Sequence, residues 1–139
     1  MLDYLMVVNG EKVGANLGKI EVMNPATNEV VGTVPNGAEK EAILAIDAAY
    51  DAFEGWSQLT AYERSDYLKT LNDLLLEHKD ELAETMTREM GKPITQSLGE
   101  VIYSASFVEW YAEEAKRVYG ETIPSHLPNK RMQVWKKPP

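Results

Sequence analysis

Apolar and polar positions alternate in short runs over the first 35 residues, which is typical of β-strands. The Asn9-Gly10 pair lies between two such runs, and both residues tolerate the positive φ angles that a two-residue hairpin turn requires. Further along, β-branched runs at 20–23 and 30–34 flank the turn sequence Asn-Pro-Ala-Thr-Asn. The pattern therefore predicts two β-hairpins within residues 1–35.

From Asn36 the apolar period changes to three or four residues, which predicts a helix. Glu39 follows Asn36 at the spacing of a capping box, so we expect the first helix to begin there and to end at Gly55. The apolar stripe of this helix consists of Ile43, Ile46, Tyr50 and Phe53.

Three further helices are predicted between residues 60 and 120. Thr60 and Glu63 form a second capping box, ahead of an apolar stripe that runs to His78. A third helix follows after a break near Lys79 and ends at Gly91. Pro93 opens the fourth helix, which the apolar spacing extends to Gly120.

The last segment, residues 121–139, reads as a Pro-rich turn and one alternating strand. Met132, Val134 and Trp135 of this strand have no evident partner strand. The sequence thus divides into hairpins (1–35), a helical segment (36–120) and the beginning of a sheet region (121–139). We expect this to be part of a larger domain, because the sheet begins without being completed.

Composition restricts the classes of function. The formal net charge of -8 argues against a nucleic-acid partner, because a polyanion is repelled. The absence of cysteine excludes disulfides, thiolate metal sites and a thiol nucleophile within these 139 residues. No apolar run is long enough to span a bilayer and the first residues do not resemble a signal peptide, so the expected location is the cytoplasm, without a membrane partner.

Motifs that bind nucleotides or catalytic metals are missing from the sequence. We interpret His78 and His126 as ordinary helix or loop histidines. Glu113 and Glu114 lie within helical reach of Lys116 and Arg117, which indicates a solvated, partly paired face. An aromatic concentration on the fourth helix has two interpretations, core packing or the wall of a substrate pocket; it consists of Tyr103, Phe107, Trp110 and Tyr111.

Glu89 stands at the end of the third helix, where the carbonyl end of the helix dipole disfavours a carboxylate. One interpretation is an exposed charge relieved by Arg88 or Lys92. The other is an oxygen-rich site for a hard cation, formed by this carboxylate and the unpaired helix-end carbonyls.

Four stretches of the sequence resemble the N-terminal part of the NAD(P)-dependent aldehyde dehydrogenase superfamily in order and spacing. They span nearly the whole chain and read NPATNEVVGTVP, AAYDAFEGWSQLTAYERSDYL, REMGKP and ASFVEWYAEEAKRVYGETIP. The last stretch is most similar to succinate-semialdehyde dehydrogenases. The resemblance implies an α/β parent fold, to which this segment contributes two hairpins, about four helices and the start of a strand.

The resemblance also implies a chemistry: a cysteine thiolate attacks the aldehyde, a glutamate serves as base, and hydride passes to NAD or NADP. The family's oxyanion asparagine, nucleotide-binding glycines, base and nucleophile come after the last residue of this sequence. We therefore expect an N-terminal scaffold that is inactive alone and whose cofactor binds to a downstream region.

Three local roles follow from the matching positions. Glu89, with the backbone carbonyls of Val22 and Met23, would hold a monovalent cation. Tyr103, Phe107 and Trp110 would face the tunnel for a small aldehyde. Residues 131–136 resemble the start of the arm through which family subunits pair into homodimers or homotetramers. A free-standing helical interaction module, which uses the surface from Tyr103 to Tyr111 as a partner groove, remains the alternative function.

Overall fold

Seven short strands and four helices make up residues 2–137, the part of the chain that the computed structural model describes. The N-terminal strands are β1 (Leu2–Asp3), β2 (Met6–Val8), β3 (Glu11–Val13), β4 (Lys19–Met23) and β5 (Val30–Pro35). Strands β2 and β3 form an antiparallel hairpin, and so do β4 and β5. Both predicted hairpins are confirmed.

The turn residues behave as their chemistry requires. Asn9 and Gly10 have φ angles of 51° and 78°, so both central positions of the first turn lie in the left-handed region. In the second turn the Asn24 side chain accepts a hydrogen bond from the Ala26 amide at 2.9 Å. The amide of Asn28, itself at φ 59°, donates to the Asn24 carbonyl at 2.8 Å.

The sequence did not predict β1, which pairs in parallel with β5. Two residues are too few for an alternating pattern to be visible. Side-chain hydrogen bonds hold β1 beside β4 and β5. The Asp3 carboxylate accepts one from Lys19, at 2.6 Å, and one from the Thr33 hydroxyl. These bonds, first from Lys19 and then from Thr33, lower the pKa of Asp3 below its ordinary value.

Helix α1 (Glu39–Gln58) begins and ends later than predicted. The Asn36 amide donates to the Gly18 carbonyl at 2.7 Å, which places Asn36 in the preceding loop. Ala38 takes the cap position instead, and its amide donates to the Glu41 carboxylate at 2.9 Å. Gly55 remains inside the helix, because an interior glycine costs only about 1 kcal/mol relative to alanine.

Helices α2 (Ala61–Glu77) and α3 (Lys79–Met90) follow the prediction closely. The Thr60 capping box is present: the Glu63 amide donates to the Thr60 hydroxyl at 3.2 Å, and the Thr60 amide donates to the Glu63 carboxylate at 2.7 Å. Gly91, at φ 69°, ends α3 in the left-handed conformation.

Helix α4 (Ile94–Glu114) is shorter than predicted. Pro93 is its cap residue, and a short 3₁₀ turn, Ala115–Arg117, closes its last turn before Gly120 is reached. The tighter 3₁₀ turn pairs carbonyls that the end of an α-helix leaves free. The apolar spacing that predicted a helix as far as Gly120 therefore covers both the α-helix and this turn.

Helices α2, α3 and α4 form the only helical core within the described residues. Its buried apolar side chains are small, which lets the helices approach closely: Ala83, Val101, Ala105 and Ala112. Two serines, Ser65 and Ser97, are also fully buried, and the hydroxyls of Ser97 and Thr87 are 2.7 Å apart across the contact of α4 with α3.

The prediction that the last strand has no partner was wrong. Strand β7 (Met132–Val134) pairs antiparallel with β6 (Glu121–Ile123), in the register Glu121 to Val134. The sequence reading missed β6 because three exposed residues are too few to show an alternating apolar pattern.

Candidate functional site

The two cations next to Glu89 are both engaged with other carboxylates. Arg88 pairs with Glu84 one turn earlier in α3, and Lys92 pairs with Glu100 on α4. Within residues 2–137 no ion pair includes Glu89. The described residues therefore show no direct ion pair of Glu89 with Arg88 or Lys92, the two cations that the first interpretation from the sequence named.

The Lys92–Glu100 pair is a feature that sequence reasoning missed. The Lys92 side chain is only 13% exposed, so its ammonium is nearly withdrawn from water and lies against the start of α4. The two residues are eight positions apart across the junction between helices, which is outside the i to i+4 spacing that signals pairing in a sequence.

The C-terminal end of α3 lies directly on the turn that follows Val22 and Met23. A β-carbon at Gly91 would come within 2.9 Å of the Ala26 amide nitrogen and 3.0 Å of the Ala26 β-carbon. The contact that joins the two segments is thus made by the glycine, because any side chain would separate them.

A cation site at this junction would rely on backbone oxygens, the type of ligand that hard cations prefer. The register of β4 and β5 shifts between Val22 and Met23, so the ladder is locally disrupted there. Glu89 is exposed and lines a cleft of about 320 Å³ between α2, α3 and α4. No described contact joins its carboxylate to Val22 or Met23. No group of three His, Cys, Asp or Glu side chains in the described residues could hold a metal ion, so such a site depends on carbonyls.

The three predicted tunnel residues lie together on one exposed face of α4. Tyr103, Phe107 and Trp110 are 65%, 46% and 66% exposed, so they lie outside the buried core of residues 2–137. They line an open groove of about 630 Å³ that also includes Tyr111 and Arg117. The rings of Tyr103 and Phe107 meet edge to face, with centroids 4.8 Å apart.

Charged groups border this groove at the end of α4. The predicted pairings are confirmed, since Lys116 lies 3.1 Å from the Glu113 carboxylate and Arg117 lies 2.7 Å from that of Glu114. Lys69 of α2 also lies 3.1 Å from Glu113 and was not predicted, because it is distant in sequence. Hydrogen bonds from Lys69 first, and then from Lys116, lower the pKa of Glu113.

Neither histidine takes part in a metal-binding cluster within the described residues. His78 caps the junction of α2 and α3, where its ring nitrogen lies 3.4 Å from the Glu81 carboxylate. Of the helices in residues 2–137, none combines the length and apolarity that a membrane crossing needs.

Comparison with known proteins places this geometry in a family. Residues 13–139 match the Aldehyde dehydrogenase family. The chain is 52% identical over 132 residues to the glutarate-semialdehyde dehydrogenase of Pseudomonas putida, covering 94% of this chain and 28% of that protein. It is 48% identical over 133 residues to the NADP(+) succinate-semialdehyde dehydrogenase of Escherichia coli, covering 95% of this chain and 28% of that protein.

Solved structures agree. The crystal structure of succinate-semialdehyde dehydrogenase from Burkholderia pseudomallei superposes with a TM-score of 0.87 at 43% identity, over 94% of this chain and 27% of that one. The chain thus spans a little more than a quarter of the length of its relatives and corresponds to their N-terminal part. With 127 of its 139 residues inside the match, the chain belongs to the aldehyde dehydrogenase family.

Proposed function

We propose that this chain is the N-terminal scaffold of an NAD(P)-dependent aldehyde dehydrogenase that oxidises a small semialdehyde, such as succinate semialdehyde, to a carboxylate. The observation that carries the proposal is the match over 94% of the chain to a glutarate-semialdehyde dehydrogenase and over 95% to a succinate-semialdehyde dehydrogenase. NAD or NADP would supply the hydride acceptor. The enzyme would act in the cytoplasm.

In this proposal, residues 2–137 position the substrate and take no part in forming or breaking bonds. The chain has no cysteine, so the thiolate that attacks the aldehyde belongs to other residues of the enzyme, as do the base and the nucleotide cradle. Residues 2–137 would hold the wall of the substrate tunnel in place through the packing of α4 on α2 and α3.

Tyr103, Phe107 and Trp110 would form the apolar side of the tunnel mouth. Their exposed rings offer an apolar surface on one helix face, and the edge-to-face contact of Tyr103 with Phe107 limits the rotation of both side chains. An apolar wall excludes water from the reacting aldehyde and orients a short carbon chain.

The same proposal includes a monovalent cation held by Glu89 and the carbonyls of Val22 and Met23. The cation would neutralise the carboxylate, which forms no ion pair with Arg88 or Lys92, and would add to the compensation of the carbonyl end of α3. Glu89→Gln in the intact enzyme tests this. Thermal stability should depend on the choice of sodium, potassium or a bulky organic cation before the substitution and lose that dependence after it. Equal thermal stability of the unsubstituted enzyme in all three salts would contradict the proposed cation site.

Subunit pairing through residues 131–136 also remains a proposal. Strand β7 is paired with β6 on one side only among the described residues, so its other edge is available for a second copy. The intact protein would then sediment as a homodimer or homotetramer.

The substrate class is tested by kinetics on the intact enzyme. The ratio kcat/KM should be higher for succinate and glutarate semialdehydes than for uncharged aldehydes of the same chain length. Equal ratios for charged and uncharged aldehydes would remove the semialdehyde assignment, and no reduction of NAD(P) with any aldehyde would remove the activity itself.

A further inference from the structure

Lys92 carries its charge into a place that water does not reach. Its side chain is 13% exposed and its Nζ is buried. Within residues 2–137 the one carboxylate that pairs with it is that of Glu100, a side chain that is itself 57% exposed. A buried ammonium is costly unless an opposite charge lies close to it, so Lys92 depends on this pair much more than Glu100 does.

The backbone on both sides of Lys92 is tied to other elements. Gly91 precedes it in the left-handed conformation and lies against Ala26 of the second hairpin turn. Pro93 follows it as the cap residue of α4. The Lys92 side chain therefore starts from a backbone that α3 and the second hairpin position, and it reaches α4 nearly two turns after that helix begins.

Glu100 lies on the same side of α4 as two of the proposed tunnel residues. Tyr103 and Phe107 follow it by three and seven residues, so the three side chains stand nearly in line along the helix. A force that turns Glu100 about the helix axis therefore turns both aromatic rings in the same direction.

The opposite, buried side of α4 consists of small residues. They are Ser97, Val101, Ala105 and Ala112. Side chains of this size interlock with neighbouring helices less than large ones do, so packing alone limits the rotation of α4 about its axis only weakly. An ion pair that joins α4 to the end of α3 supplies a further limit.

Even a small rotation of α4 would matter for a substrate. The side chains of a helix extend about 5–6 Å from its axis, so a rotation of about 10° moves a ring by about 1 Å. A misplacement of about 1 Å can lower the rate of an enzyme about 100-fold.

We propose that the Lys92–Glu100 pair sets the rotation of α4 and thereby the position of the Tyr103 and Phe107 rings at the tunnel mouth. This inference rests on the proposed function. Lys92 and Glu100 are positioning residues in this proposal, because they act on the aldehyde only through the helix.

Glu100→Gln in the intact enzyme tests the proposal, with Glu84→Gln as its matched control. The two glutamate side chains are 57% and 58% exposed, and each pairs with one cation. Arg88, the partner of Glu84, is 54% exposed, so the control removes an ion pair from the surface of α3 without leaving a buried charge.

The KM for the aldehyde should rise about tenfold in Glu100→Gln, while the KM for NAD(P) stays within about twofold, because the tunnel wall moves and the nucleotide site does not. The change in kcat should be smaller than the change in the aldehyde KM. Glu84→Gln should alter none of these constants. An unchanged aldehyde KM in Glu100→Gln, an equal rise for aldehyde and NAD(P), or the same rise in Glu84→Gln would overturn the proposal.

A double variant and a second measurement cover the cases in which kinetics on Glu100→Gln fail. Lys92→Met combined with Glu100→Gln leaves no unpaired buried charge, so it serves if the single variant does not fold, and it should raise the aldehyde KM to the same extent. An unchanged aldehyde KM in the double variant would overturn the proposal.

Hydrogen exchange of the amides in residues 94–107 does not require activity. Exchange should be about tenfold faster in Glu100→Gln than in Glu84→Gln, because α4 is then less firmly held. If the unsubstituted enzyme oxidises no aldehyde, the proposed function is wrong and this comparison alone decides on the pair. Equal exchange in the two variants would overturn its role in positioning α4.

Discussion

The close approach of α3 to the second hairpin depends on Gly91. Replacing Gly91 with alanine should lower the free energy of unfolding by more than the unfavourable φ angle alone would. Gly91→Ala places a β-carbon at a φ of 69°, which costs about 1–2 kcal/mol for an L-residue. The added carbon would also lie 2.9 Å from the Ala26 amide nitrogen, which is backbone and cannot move aside as a side chain can. Overpacking of this kind costs typically about 1–3 kcal/mol.

The total expected loss in the free energy of unfolding is about 2–5 kcal/mol, a large part of the roughly 5–15 kcal/mol of a typical domain. Gly10→Ala is the matched control, because Gly10 has a φ of 78° and nothing within 4 Å of an added β-carbon. It should lose only the conformational part. The gain from a less flexible unfolded chain is common to both variants and cancels.

Urea unfolding of the intact protein, followed by tryptophan fluorescence, measures both losses. The slope with denaturant should stay the same in the two variants, so that midpoints report stability. A loss for Gly91→Ala no greater than that for Gly10→Ala would refute the close contact of α3 with the turn at Ala26. The junction proposed for the cation would then lose its geometric support.

Two further contacts give predictions of the same kind. Thr60→Ala removes the cap of α2 and should destabilise by about 1 kcal/mol in urea unfolding; a neutral outcome would show that the capping box does not hold this helix. The backbone and side-chain hydrogen bonds of Thr60 lower the pKa of Glu63 below its ordinary value of 4.5, so its contribution is complete above that pH and is lost as the pH falls through the lowered pKa. Glu63→Gln should therefore reduce the loss of stability on acidification, and an unchanged acid profile would contradict the assignment. Ser97→Ala leaves the partly buried hydroxyl of Thr87 without its partner and should cost about 1 kcal/mol. The double variant with Thr87→Val should recover part of that loss, whereas additive losses would show that the two hydroxyls are not coupled.

Local chemistry made the hairpins and the central helix boundaries predictable. Asn9-Gly10, the Thr60 capping box and Gly91 each act through atoms within a few residues, so their signals are complete in the sequence. The first boundary of α1 failed, because the Asn36 amide is taken by the distant carbonyl of Gly18. A local pattern cannot show that competition.

The candidate site was predictable only in part, for the same physical reason. The grouping of Tyr103, Phe107 and Trp110 follows from helical spacing, but their exposure does not, since burial depends on which helices cover that face. The engagement of Lys92 by Glu100, and that of Glu113 by Lys69, are contacts between elements. Strand β6 was missed because three exposed residues carry no pattern.

The most direct test of the central claim is the reduction of NAD(P) by the intact polypeptide in the presence of succinate semialdehyde, before and after treatment with a thiol-alkylating reagent. The account predicts reduction that requires the aldehyde and that alkylation abolishes, although none of the 139 residues described by this sequence is a cysteine. Absence of reduction with every aldehyde, or reduction that survives complete alkylation, would contradict the assignment of these residues to the scaffold of a thiol-dependent dehydrogenase.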